Sequence, residues 1–221
     1  VELRCGPFQQ GLPVACGGAA AEQDSVEAQL NLALLLTSGR GGERNDAEAA
    51  KWLRKAAEAG SAEAQLQFAL ANLEGRGVAR NDRTAARWLK RAADQGHAEA
   101  QFNLALLSAA GRGVPRSDAD VAQWLQRAAE QGHPQAQAHL GLIFAEGVDG
   151  PPDDGEALKW LRPAAENGEP RAQYALGSLY GEGRSVPQDL IQAHVWFNLA
   201  AVQGNTKARD ARDIIAEQLS P

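Results

Sequence analysis

A tryptophan recurs through the chain at a constant interval of 36 residues, at positions Trp52, Trp88, Trp124, Trp160 and Trp196. A glycine follows each tryptophan at the same distance, from Gly60 to Gly204, and an alanine pair stands between the two in every copy. Periods in this range are the signature of repeat proteins, in which each repeat packs only on its neighbours. The interval therefore predicts an array of five similar units rather than one closed globule.

Capping signals predict two helices in every repeat. The helix that contains the tryptophan is preceded by a good N-cap residue in all five copies: Asn45, Asn81, Ser117, Asp153 and Asp189. The glycine after it favours the left-handed conformation that ends a helix. The other helix follows N-cap candidates Ser25, Ser61, His97, His133 and Glu169. We therefore predict five helix-turn-helix repeats, over residues 26–61, 62–97, 98–133, 134–169 and 170–205.

The two ends of the chain differ from the repeats. Residues 1–25 are rich in glycine and proline and are predicted to form an N-terminal cap segment. Their cysteines, Cys5 and Cys16, either form a disulfide, which would imply a periplasmic or secreted protein, or remain free thiols. Residues 206–221 align with the first helix of a sixth repeat, but Arg212 and Asp213 make it more polar, as expected of a C-terminal capping helix.

Composition and motifs narrow the possible functions. A formal net charge of −6 gives no electrostatic reason to expect nucleic acid or anionic lipid as the main partner, and no apolar run is long enough for membrane insertion. The Gly-x-Gly pairs in the loops, such as Gly75 and Gly77, follow no strand and indicate structural turns rather than a nucleotide site. The four histidines are dispersed and no metal or nucleophile motif is present, so we predict no catalytic, cofactor-binding or metal-binding residue.

The last repeat shows the shared pattern best, as RAQYALGSLYGEGRSVPQDLIQAHVWFNLAAVQG over residues 171–204. The pattern AxAQxxLGxxYxxGxGVPxDxxxAxxWxxxAAxxG resembles the Sel1-like repeat family, which is related to tetratricopeptide repeats. The resemblance covers residues 26–205 and implies an all-α, right-handed α/α superhelical solenoid of five 36-residue repeats with terminal caps. It also implies a bacterial scaffold that holds other proteins. Cysteine-rich secreted members carry a disulfide in each repeat, and this chain does not share that feature.

The same alignment predicts a partner-binding face. If the first helix of each repeat corresponds to its tetratricopeptide counterpart, it lines the concave face with two apolar rows beside polar side chains. One row is Leu30, Leu66, Phe102, Ala138 and Tyr174, the other is Leu34, Leu70, Leu106, Leu142 and Ser178, and the polar neighbours are Asn31, Gln67, Asn103 and His139. A helix or an extended peptide could dock on such rows. The alternative is ordinary packing between successive first helices.

Two further sets of recurring residues are interpreted as structural. The tryptophans are expected to pack between helices, because a ligand-stacking role would need exposed rings. The loop arginines, Arg40, Arg76, Arg112 and Arg184, are expected to form a solvated rim of salt bridges.

These observations predict a non-enzymatic scaffold that binds a segment of another protein. The alternative is an envelope protein that binds glycan or peptidoglycan, or a cell-wall-related enzyme. A sugar site would need exposed aromatic side chains, and an enzyme would need clustered acids or histidines. Self-association through the ends of the array is a third possibility.

Overall fold

The structure is a computed structural model that describes residue 21 and residues 25–40, 42–147 and 150–219. Within these residues the chain forms eleven α-helices and no strand, which confirms the prediction of an all-α fold. In chain order the helices are α1 (Val26–Ser38), α2 (Asp46–Glu58), α3 (Ala62–Glu74), α4 (Asp82–Asp94), α5 (Ala98–Ala110), α6 (Asp118–Glu130), α7 (Pro134–Glu146), α8 (Asp154–Glu166), α9 (Pro170–Glu182), α10 (Leu190–Val202) and α11 (Thr206–Leu219).

The helices belong to two compact units, Val1–Val121 and Ala122–Pro221. In the N-terminal unit, consecutive helices from α1 to α5 pack on one another. In the C-terminal unit, consecutive helices from α7 to α11 do the same. Odd-numbered helices α1 to α9 are the first helices of the five repeats, and even-numbered helices are the second helices.

Every predicted N-cap residue caps its helix. The side chains before α2, α4, α6, α8 and α10 accept a hydrogen bond of 2.9–3.2 Å from the backbone N–H three residues later. Before the first helices, Ser25 and Ser61 act through their hydroxyls and Glu169 through its carboxylate. His97 and His133 accept the bond at Nδ1, at 3.4 and 3.3 Å. These two histidines are therefore helix caps, which explains their position outside any cluster.

The second glycine of the loop allows it to lie against the preceding repeat. A Cβ atom on Gly77 would overlap the carbonyl of Asp46, and one on Gly113 would overlap the carbonyl of Asp82. Both glycines also have positive φ, of +69° and +72°. The predicted structural role of the Gly-x-Gly pair is confirmed at these two positions. Ser185 takes the equivalent position in the last repeat with a φ of +53°.

The core consists mainly of alanine and leucine. The alanine pairs of the first four second helices, such as Ala92 and Ala93, are at most 1% exposed and let neighbouring helices approach closely. The tryptophan rings cover this core at its edge. Trp88 packs edge-to-face on Phe68 with ring centroids 5.8 Å apart, and Trp52 is half-buried against the same core. The packing role predicted for the tryptophans is confirmed at these positions.

Five buried glutamines connect successive repeats. Gln29, Gln65, Gln101, Gln137 and Gln173 are each less than 8% exposed. In every case Nε2 donates a hydrogen bond of 3.1–3.2 Å to the backbone carbonyl eight residues earlier, which for the last four glutamines lies near the end of the preceding second helix. The first helix of each of the last four repeats is thus bonded to the end of the repeat before it. The repeat pattern contains this glutamine, but sequence reasoning gave it no role.

The side-chain oxygens of these glutamines do not all accept a hydrogen bond. Gln65 Oε1 accepts a bond of 2.8 Å from Gln95 Nε2, and the Gln203 side chain serves Gln173 in the same way at 2.9 Å. Among the described residues, the buried oxygens of Gln29 and Gln137 have no hydrogen-bond partner. The residues at the position of Gln95 are Ala59, which has no amide, and Asn167, whose shorter side chain bonds to Pro163. Two buried acceptors are therefore left unpaired.

We predict that Ala59→Gln stabilises the protein by about 1 kcal/mol, because it supplies the donor that Gln29 Oε1 lacks. For a chain of this size the melting temperature should rise by about 2–4 °C, measured by differential scanning calorimetry. Ala59→Met is the matched control, since methionine has a similar length and no amide. Equal melting temperatures of the two variants would contradict the role given to this hydrogen bond.

Candidate partner-binding surface

Three leucines at equivalent positions of α1, α3 and α5 reach the surface of the N-terminal unit. Leu34 is 40% exposed and Leu106 is 39% exposed, and Leu70 is half-buried. We call Leu34, Leu70 and Leu106 the leucine row. Large apolar side chains with this exposure are few in the described chain, so their repetition at one position of successive first helices distinguishes this face.

The other predicted row lies deeper. Leu66 and Phe102 are 3% and 8% exposed, and both belong to the core. Leu30 is half-buried and packs against the same core as Trp52. A partner therefore reaches little of Leu66 and Phe102, and their place in the predicted binding face is corrected: they fill space between helices. They lie four residues, or about one helical turn, before Leu70 and Leu106.

The polar neighbours of the leucine row are bonded within their own helices. The amide of Gln67 donates to the Glu63 carboxylate at 2.8 Å. The amide of Asn103 donates to the carbonyl and the carboxylate of Glu99, at 2.8 and 2.9 Å. Asn31 is half-buried at the equivalent position of α1. These contacts hold the amides beside the leucine row and leave their oxygens as the groups with which a bound backbone N–H would interact.

A shallow pocket that is open to solvent lies next to Leu34, between α1, α2 and α3. Its apolar wall is formed by the side chains Leu34, Ala49, Ala50, Leu53 and Ala71. Gln67, Thr37, Asp46 and Arg76 supply its polar lining. The pKa of Asp46 lies below its usual value because Arg44 donates hydrogen bonds to the carboxylate. Sequence reasoning missed Asp46 and assigned Arg76 only to the rim of salt bridges, since the predicted binding face was drawn from the first helices alone.

In the C-terminal unit the predicted residues form a more polar surface. His139, Leu142, Tyr174 and Ser178 are half-buried, and Ala138 is 1% exposed. His139 Nε2 lies 3.0 Å from the Arg171 guanidinium. Burial lowers the pKa of His139, and the charge of Arg171 lowers it further, so the neutral imidazole accepts the guanidinium hydrogen bond. The Tyr174 ring packs on Phe197 with centroids 5.6 Å apart, which assigns most of its surface to the core.

Three of the loop arginines form ion pairs, and two of these pairs join neighbouring repeats. Arg112 forms two hydrogen bonds to Asp82, at 2.9 and 3.0 Å, and Arg184 forms two to Asp154, at 3.0 and 2.6 Å. Arg76 pairs with Glu74. The predicted rim of salt bridges is confirmed for these three arginines. The hydrogen bonds from Arg112 lower the pKa of Asp82 to about 2.

We predict that Asp82 makes stability depend on acid pH. Its pKa is depressed in the folded state, so its stabilising effect is complete above the unfolded-state value of about 3.9 and is lost as pH falls through about 2. The melting temperature of the wild type should therefore fall more steeply between about pH 4 and about pH 2 than that of Asp82→Asn. Asp118→Asn, at the equivalent but 78% exposed position, is the control and should keep the wild-type slope. Parallel curves for all three proteins would refute the assignment.

In the part of the chain that the structure describes, no group of three or more histidine, cysteine, aspartate or glutamate side chains is placed to hold a metal ion. No described helix is both long and apolar enough to cross a membrane. Cys5 and Cys16 lie outside the described residues, so their predicted disulfide stays a prediction.

Comparison with known proteins places the fold. The Sel1 repeat family model matches residues 26–61, 62–97, 98–133, 134–169 and 170–205. Among solved structures, a Sel1 repeat protein from Oxalobacter formigenes is 33% identical, with a TM-score of 0.78 over 86% of this chain and 76% of that chain. A comparison with curated proteins found no match.

Two other solved structures show the same fold. One is c5321, a protective antigen of uropathogenic Escherichia coli strains with an SLR fold, at 29% identity and a TM-score of 0.62; the match covers 94% of this chain and 52% of c5321. The other is the immunity protein Pa5087 from Pseudomonas aeruginosa, at 20% identity and a TM-score of 0.52, covering 85% of this chain and 72% of that chain. The second likeness shows the fold alone. Together with the five matched repeats, these structures confirm the predicted solenoid fold class.

Proposed function

The chain belongs to the Sel1 repeat family, and on that premise we propose that it is a non-enzymatic scaffold that binds a segment of another protein along the leucine row. Sel1 repeat proteins generally mediate protein–protein interactions. The observation that carries the proposal is the exposure of Leu34 and Leu106, at 40% and 39%, at one repeated position. Aligned apolar side chains that remain in contact with water are what a partner helix or an extended peptide buries.

The pocket beside Leu34 suggests how the partner is oriented. It is too shallow to enclose a large side chain, but its apolar wall continues the surface of Leu34. Arg76 and Asp46, which also lie in its wall, offer one positive and one negative group to polar atoms of a bound segment. These two groups would orient a polypeptide at one end of the leucine row.

The alternative functions have less support. A glycan or peptidoglycan site would present aromatic rings, yet every described tryptophan, tyrosine and phenylalanine is buried or half-buried. A cell-wall-related enzyme would combine titratable groups, and the Sel1 repeat family is generally non-catalytic. A protein partner fits the exposed leucines best.

We predict that a photo-reactive benzoylphenylalanine at Leu70 or Leu106 cross-links a specific protein from a native extract. The same residue at Arg87, which is exposed on the second helix α4, is the control and should not capture that protein. With the captured partner purified, Leu70→Glu/Leu106→Glu should raise the dissociation constant at least about tenfold, because docking would then bury carboxylates. Lys51→Glu/Arg87→Glu places the same two glutamates on the second helices and should leave binding unchanged. Equal affinities for the leucine variant and the wild type would overturn the proposal.

We also propose that the protein works in an oxidising compartment, the periplasm or the outside of the cell. The proposal rests on the two cysteines of the chain, Cys5 and Cys16, which lie close enough in sequence to close a small disulfide loop. Intact mass spectrometry of protein isolated from its native source should give a mass lower by two hydrogens than after reduction. Identical masses before and after reduction would refute the disulfide.

A further inference from the structure

Helix α10 has an exposed apolar side in addition to its buried one. Ala193, Phe197 and Ala200 are buried in the core that α10 shares with α11. On other parts of its surface Ile191, Val195, Leu199 and Val202 are exposed by 65%, 45%, 42% and 79%. The spacing of these four residues places them on one side of the helix. We call them the apolar stripe.

The other repeats show that the fold does not need an apolar stripe. At the positions of Val195, Leu199 and Val202 the first three repeats carry Lys51, Lys55 and Glu58, then Arg87, Arg91 and Asp94, then Gln123, Arg127 and Glu130. These nine side chains are exposed, as expected of a solvated helix face. The second helices of these repeats form with polar residues at the three positions. The fold therefore does not require the aliphatic residues of α10, and we attribute them to contact with a partner molecule.

The aliphatic residues of α10 also stand where other repeats have a cation stacked on the tryptophan ring. Arg91 lies over the Trp88 ring at 4.6 Å, and Arg127 lies over Trp124 at 4.9 Å. In the last repeat Leu199 takes the position of these arginines, beside Trp196. The half-buried edge of the fifth tryptophan is thus bordered by an apolar residue and adds to the surface of the stripe.

We propose that the apolar stripe pairs with the same stripe of a second copy of this chain, across a two-fold axis, as an antiparallel helix pair. In such an interface residue i of one copy contacts residue j of the other, so a charge on it needs an opposite charge at the paired position, whereas an uncharged apolar surface needs none. Among the described helices, α10 alone contains no aspartate, glutamate, lysine or arginine. The chain as a whole carries a net charge of −6, so an uncharged helix face is where two copies meet with least repulsion.

The size of the stripe sets the strength of the pair. Four side chains with these exposures present on the order of 400 Å² of apolar surface per copy, which is as large as the main patch of a typical monomer. A two-fold pair then buries on the order of 800 Å², and polar residues at its border bring the total near the lower end of specific interfaces, about 1,200 Å². Small interfaces of this size are typical of weak association, so we expect a reversible dimer rather than a permanent one.

Sedimentation velocity over a range from about 1 to about 500 µM tests this proposal. The wild type should change from monomer to dimer over this range. Val195→Lys/Leu199→Arg introduces the residues that Lys159 and Arg127 provide at these positions in other repeats, and should raise the dissociation constant at least about thirtyfold. Ala119→Lys/Gln123→Arg makes the same change of charge on the exposed side of α6 and should dimerise like the wild type.

A second measurement identifies the surface without placing charge on it. In a Cys5→Ser/Cys16→Ser background, Val195→Cys should be joined to its symmetry mate by a short bismaleimide, because Val195 lies near the middle of the stripe. Gln123→Cys is the matched control on α6 and should remain uncoupled. A wild type that stays monomeric at every concentration, a dimer that survives Val195→Lys/Leu199→Arg, or equal coupling at both cysteines would each overturn the proposal.

Discussion

The hydrogen bond from a buried glutamine to the end of the preceding helix is the contact on which the array depends. A repeat of two short helices cannot bury its own apolar surface, so its stability comes from the neighbour on either side. Gln65 Nε2 bonds to the Ala57 carbonyl in the last turn of α2, where helix carbonyls lack partners within the helix. The amide fits there because Ala56 and Ala57 let α3 approach closely. An apolar side chain of equal length would leave this joint without its directional bond.

Local signals made most of the fold predictable from the sequence. Caps, terminal glycines and tryptophans each depend on a few neighbouring residues, and five copies of each signal agree. Burial along the first helices was not predictable in the same way. Leu66 and Leu70 are identical side chains one helical turn apart, yet the first is 3% exposed and the second half-buried. These helices are apolar on several sides, so periodicity alone does not show which row faces the core. The burial of Gln65 was not predictable for a different reason. Its polarity suggests an exposed position, and only its hydrogen bond to the Ala57 carbonyl explains why it is buried.

The candidate surfaces were accessible to sequence reasoning to different degrees. Leu34 and Leu106, which the tetratricopeptide alignment placed on the predicted binding face, are 40% and 39% exposed. The sequence analysis did not identify the apolar stripe of α10, although the sequence shows aliphatic residues at positions that are polar in other repeats. Comparison of equivalent positions across repeats separates what the fold requires from what one copy adds, and Ile191 and Val202 differ from their counterparts. In a repeat protein the other copies thus serve as an internal reference.

The bonds between repeats have one further consequence. Arg112 reaches Asp82 and Arg184 reaches Asp154 over the same separation of 30 residues, and each buried glutamine reaches back over eight. The glutamine bond therefore recurs at the same offset in all five repeats, and the arginine bond recurs in two of them. A repeat duplicated inside the array would find the carbonyl and carboxylate acceptors for its glutamine and arginine on the preceding repeat. It would offer the same acceptors to the following repeat. Duplication or deletion of whole repeats in the gene therefore needs no new kind of contact between repeats. The number of repeats can evolve separately from the stability of each contact.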